Sequence, residues 1–88
     1  MRGDDLDTRR RRAAYRATHR GTKEMDWIIG RYATEVLPGL EGEALERFER
    51  LLSLPDPELQ KWLLDPQLAG ASEFAELITQ MRRFHRLE

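Results

Sequence analysis

The chain has 88 residues, 40% of them hydrophobic and 35% charged, with a formal net charge of −1 and no cysteine. That is one small domain, with no disulfide, thiolate nucleophile or cysteine metal site and no general affinity for polyanions. No apolar run approaches the ~20 residues that span a bilayer, and the acidic start, Asp4, Asp5 and Asp7, is not a secretory signal.

Residues 1–8 are expected to form a flexible tail and residues 9–88 a single helical domain. Asp7 or Thr8 is a candidate cap for a first helix running to about His19. Its apolar content is thin, Ala13, Ala14, Tyr15 and Ala17, and alanine favours helix while offering little area to bury. Arg20-Gly21 breaks this helix from the next. With Gly21 as N-cap, Glu24 falls at the third helical position, where it can reach back to an unpaired amide. Met25, Ile28, Ile29, Tyr32, Ala33 and Val36 then recur at helical spacing as a core stripe. Successive positions turn by about 100°, so Glu24, Trp27 and Arg31 share the opposite side. Pro38-Gly39 ends this second helix.

A third helix begins near Glu41. Ala44, Leu45, Phe48, Leu51 and Leu52 form its buried stripe, with Glu43, Glu46, Glu49 and Arg50 outside. Asp56-Pro57 reads as N-cap and first residue of a fourth helix, which carries Leu59, Trp62 and Leu63 and stops at Asp65-Pro66. Gln67 to Ala71 form a loop. Ser72 caps a fifth helix whose inner face is Phe74, Leu77, Ile78 and Met81, with Phe84 or His85 beyond. Glutamates lead this helix and arginines close it, which suits the helix dipole. Nothing alternates with period two. The expected fold is all-α, a five-helix bundle without strands.

Charge is uneven. Residues 1–23 hold eight Lys/Arg against three acids, including the run Arg9-Arg10-Arg11-Arg12, and residues 41–58 hold six acids against Arg47 and Arg50. Such polarity steers partners but also occurs on plain solvated surfaces. His19 and His85 are too few and too scattered for a metal site. No catalytic triad, paired-carboxylate or phosphate-cradle pattern is present, so the chain does not read as an enzyme.

Arg20-Gly21-Thr22-Lys23-Glu24 resembles the Arg-Gly-x-x-Glu signature of the succinate dehydrogenase assembly factor family, the SdhE-type proteins. The likeness continues through Met25-Asp26, Gly30-Arg31-Tyr32, Asp56-Pro57-Glu58-Leu59 and Trp62-Leu63, and covers the chain from about Arg9 onward. Ala13, Ala14 and Thr18 stand where the family tends to have bulkier apolar residues. The resemblance implies a non-enzymatic factor that binds the flavoprotein subunit of succinate dehydrogenase, or of fumarate reductase, and promotes covalent attachment of FAD by the subunit's own histidine. FAD would belong to the partner, with no cofactor or metal bound by this chain and no membrane insertion. Partner-binding residues would be Arg20, Gly21 and Glu24, with His19, Asp26, Trp27 and Arg31 beside them. The residues alone leave other readings of these positions open: an ion pair or capping glutamate for Arg20 and Glu24, coverage by a neighbouring helix for Trp27, and a helix-end role for His19. Two other functions also remain open: a regulatory or antitoxin-like protein-binding module, and a nucleic-acid binder working through Arg9–Arg12. The short chain without a presequence points to the cytoplasm.

Overall fold

The computed structural model describes residues 5–86. It contains five α-helices, α1 (Leu6–Thr18), α2 (Lys23–Val36), α3 (Gly42–Leu52), α4 (Asp56–Leu64) and α5 (Ala75–Phe84). Short 3-10 turns follow α2 (Leu37–Gly39) and α4 (Pro66–Ala69). There is no strand among the described residues, so the expected all-α bundle is what forms.

The helix starts depart from expectation. Asp5, not Asp7 or Thr8, caps α1: its carboxylate accepts the Thr8 amide at 2.8 Å. That bond also holds the Asp5 carboxyl below the usual range. Residues 6–8, within the expected tail over residues 1–8, form the first helical turn. Residues 1–4 lie outside the described part. Thr22, not Gly21, caps α2 by accepting from Met25 N at 3.2 Å, which moves Glu24 to the second helical position and leaves no reciprocal capping glutamate. On α4 the cap is Pro55, with Asp56 first and Pro57 second. Proline is harmless there because first-turn amides have no intrahelical acceptor. Ser72 holds a turn instead of starting a helix: its hydroxyl accepts from Phe74 N, and α5 begins at Ala75.

The core draws on every helix. Ile29, Phe48, Leu59, Ile78 and Met81 are fully buried, each contributing about 1.5–3 kcal/mol of apolar transfer free energy. The stripe on α2 holds, with Ile28 and Val36 at its half-buried edges. Ala44 is exposed. It lies one helical step outside the Leu45–Phe48–Leu52 face and borders the cleft between α3 and α5. Glu49, expected outside, is part-buried against Arg9.

The thin apolar content of α1 proves to be its means of packing. Ala13 and Ala17 are buried, and α1 packs chiefly on α2. They approach closely at Gly30, where an added Cβ would stand 2.9 Å from Thr18 Cγ2 and 3.5 Å from the Ala17 carbonyl oxygen. Small side chains let the two backbones meet, so contact replaces side-chain bulk. Polar ties fix the remaining helices: Tyr32 Oη donates to Gln80 Oε1 at 3.0 Å, and Arg82 Nη1 donates to the Leu63 carbonyl at the end of α4. Burial pushes the Tyr32 phenol above its ordinary pKa.

Candidate partner-binding face

Four residues, His19 to Thr22, lead from the end of α1 into α2. Gly21 is exposed with φ of +118°. A Cβ there would find nothing nearer than Asp56 Oδ2 at 3.8 Å, an ordinary contact. The backbone angle, not a lack of space, therefore calls for glycine at this turn.

Arg20 points inward. Its Nε donates to Asp56 Oδ1 at 2.8 Å, Nη1 to the Leu52 carbonyl at 2.6 Å and Nη2 to the Leu54 carbonyl at 2.7 Å. Its side chain is 8% exposed. Leu52 ends α3, Leu54 lies in the connection after it and Asp56 opens α4, so one planar guanidinium closes the α3–α4 connection. The ion pair considered between Arg20 and Glu24 gives way to this clamp, because Gly21 turns the chain before a shared helix surface exists. Asp26 completes it by accepting the Arg20 backbone amide.

Glu24 is exposed and makes no hydrogen bond or ion pair with the described residues. It borders a small cleft with Ile28, Gln60 and Leu64. Of the motif's two charged ends, one is thus built into the fold and the other is free at the surface.

Trp27 and Arg31 are exposed on the same side of α2, as the helical wheel requires. Trp27 is 52% exposed. Neither α1 nor α4 supplies an aromatic neighbour to it. The His85 ring packs against the indole with centroids 4.6 Å apart, and the Arg31 guanidinium lies 6.0 Å from the indole centroid. His85 Nε2 sits 2.7 Å from the Ile28 carbonyl oxygen, a contact that places the proton on Nε2. His85 therefore fastens the end of α5 to α2 and supports one side of Trp27. His19 is exposed and stacked on Tyr15, with ring centroids 3.9 Å apart and planes at 16°.

Three residues of this region were not singled out as site residues from the sequence. Asp56 reads locally as a helix cap, and its pairing with Arg20 crosses 36 positions. His85 meets Ile28 across 57 positions. Tyr15 is 64% exposed beside the motif, and its i, i+4 spacing to His19 is the one signal that could have found it.

The sequence matches the Sdh5 family, described as "Flavinator of succinate dehydrogenase", over residues 11–85. The chain belongs to this family. Among its relatives, a protein from Acetobacter pasteurianus named FAD assembly factor SdhE is 45% identical over 60 residues, covering 68% of this chain and 55% of that protein. The FAD assembly factor SdhE of Coxiella burnetii is 34% identical over 64 residues, covering 73% of this chain and 78% of its own. The mitochondrial succinate dehydrogenase assembly factor 2 of Debaryomyces hansenii is 33% identical over 60 residues, 68% of this chain and 42% of that one. The match thus spans about half the length of the first and last of these relatives. No solved structure matches.

In this family member the basic run is partly absorbed by the fold. Arg9 grips Glu49 of α3 with two bonds, Nη2–Oε1 at 2.7 Å and Nε–Oε2 at 3.1 Å, and Arg10 Nε donates to the Leu40 carbonyl at 2.9 Å. Part of the contrast between a basic start and an acidic middle is therefore an internal attraction between α1 and α3. No group of three or more His, Cys, Asp or Glu able to hold a metal exists among the described residues. No described helix is long and apolar enough to cross a membrane.

Proposed function

We propose that this chain is a non-enzymatic assembly factor that binds the flavoprotein subunit of succinate dehydrogenase, or of a related fumarate reductase, and promotes covalent attachment of FAD to it. The observation that carries this reading is the division of labour within the motif, in a chain of the flavinator family. Arg20 and Asp26 rigidify the turn from within, while Gly21, Glu24, Trp27 and Arg31 remain at the surface. A carboxylate fixed on a helix start beside a bare glycine backbone suits charged hydrogen bonding to a partner that approaches closely.

In this reading FAD and the histidine it becomes linked to both belong to the partner, and this chain supplies shape. Selective binding to one conformation of the subunit raises the population in which the histidine and the flavin stand in attacking geometry. Fixing such geometry lowers a barrier without new chemistry. Arg20 acts indirectly, by holding the presented turn. In this reading the site of action is the cytoplasm.

The test is co-expression of a succinate dehydrogenase flavoprotein subunit with and without this chain, followed by flavin fluorescence of the denatured subunit. Covalent flavin should rise when the chain is present. Equal signal in both cultures, at equal subunit level, rejects the reading.

A further inference from the structure

A shallow groove runs between the end of α1 and the outer side of α2, next to the motif but on the side of Trp27 away from Glu24's cleft. Its floor is Gly30, buried and without a side chain, with the Thr18 methyl at 2.9 Å from where a Cβ would stand. Its walls are Trp27, Lys23 and Arg31. Lys23, Trp27 and Arg31 follow one another at i, i+4 and i+8, so they form a single ridge. Both cations are exposed, and neither has an ion-pair partner among the described residues. The acid in the groove, Asp26, has its carboxylate turned to the Arg20 amide. The groove therefore combines two cations without ion-pair partners, one carboxylate held by a backbone amide, a half-exposed indole and a small apolar floor.

We propose that this groove seats an acidic segment of the flavoprotein subunit. Carboxylates of that segment pair with Lys23 and Arg31, and one of its apolar side chains packs over Gly30 against Trp27. This rests on the functional reading above and deepens it by naming the chemistry of the partner. Charge complementarity makes the argument, since opposite charge on the partner is what two unpaired cations flanking an aromatic attract. Contact at Glu24 and contact in the groove then fall on opposite sides of Trp27, and the two together fix the orientation of the bound subunit.

The chain offers its own chemical probe, because Lys23 and Lys61 are its two lysines. Carbodiimide joins an amine to a carboxylate with no spacer. The full chain is mixed with purified flavoprotein subunit, coupled and mapped by mass spectrometry, and affinity is measured in parallel over a range of salt. The expected result is a Lys23 link to an Asp or Glu of the subunit, lost in Lys23→Arg although binding persists. Lys23→Glu/Arg31→Glu should weaken binding roughly tenfold or more and flatten its salt dependence. Arg11→Glu/Arg16→Glu, an equal change of charge on α1, should do much less. If the wild type binds but links only through Lys61 or to a second copy of itself, the groove proposal is overturned and the functional reading stands. The same holds if the Lys23/Arg31 reversal binds like the wild type. If the wild type does not bind the subunit at all, both are overturned.

Discussion

Arg20 and Asp56 are 36 positions apart in sequence and 2.8 Å apart in space, and their ion pair joins the turn before α2 to the first residue of α4. The pair makes the Arg-Gly-x-x-Glu turn a rigid part of the bundle instead of a loop resting on it. Replacing Arg20 by alanine strands a part-buried carboxylate and two carbonyls, which costs about 2–4 kcal/mol. Asp56→Ala leaves Arg20 its two carbonyl acceptors and costs about 1–2 kcal/mol. Urea unfolding of both single variants and the double variant measures this. Losses below about 0.5 kcal/mol for Arg20→Ala, the range of an ordinary surface change, contradict the clamp.

Gly21 is expected to resist substitution even though space is open around it. At φ of +118° any side chain strains the backbone, so Gly21→Ala lowers stability by about 1–3 kcal/mol. If thermal unfolding of Gly21→Ala matches the wild type, the turn does not depend on its left-handed geometry.

Gly30 is constrained in the opposite way, by space. Gly30→Ala gains helix propensity of about 1 kcal/mol, but the new methyl meets Thr18 Cγ2 at 2.9 Å. Thr18 cannot swing aside cheaply, because it is branched and its hydroxyl donates to the Ala14 carbonyl at 2.9 Å. The net effect is destabilisation of about 1–2 kcal/mol. Adding Thr18→Ala should recover most of it. A Gly30→Ala variant more stable than the wild type would mean that the helices do not meet at this point.

Acid should loosen the α3–α5 side. Arg50 donates to Glu73 through Nε at 2.9 Å and Nη2 at 2.6 Å, and these bonds hold the Glu73 carboxyl below its ordinary range. Its folded value lies under its unfolded one, so this contribution is complete above the unfolded value and is lost as pH falls through the folded value. Glu73→Gln should flatten the fall of the melting temperature on the acid side. Asp5, shifted the same way by its bond from Thr8, keeps a residual slope. An unchanged profile in Glu73→Gln contradicts the assignment.

The sequence made the helices legible because each carries a local signal. The α2 stripe follows from the spacing of Met25, Ile29, Tyr32 and Ala33, and the break after α1 follows from Gly21. The outward set Glu24, Trp27 and Arg31 was readable for the same reason. What was hidden depends on partners distant in sequence. Nothing near Arg20 announces Asp56, and nothing near Trp27 announces His85. The alanines of α1 looked like weak packing until the bare Gly30 opposite them was in view. The capping shifts, Asp5 for Asp7 and Thr22 for Gly21, arise because several adjacent residues have capping chemistry and only the path of the chain selects one.

In the function proposed above, Glu24 serves a partner and not the fold. It is exposed and makes no hydrogen bond or ion pair with the described residues, so Glu24→Gln should unfold like the wild type. The deciding measurement is covalent flavin, read by in-gel fluorescence, on a succinate dehydrogenase flavoprotein subunit co-expressed with the wild-type chain or with Glu24→Gln. Strong signal is expected with the wild type and a fall toward the level without any factor for Glu24→Gln, at equal amounts of subunit and equal melting temperature of the two chains. Undiminished signal with Glu24→Gln would contradict it and would show that flavin attachment does not run through this carboxylate.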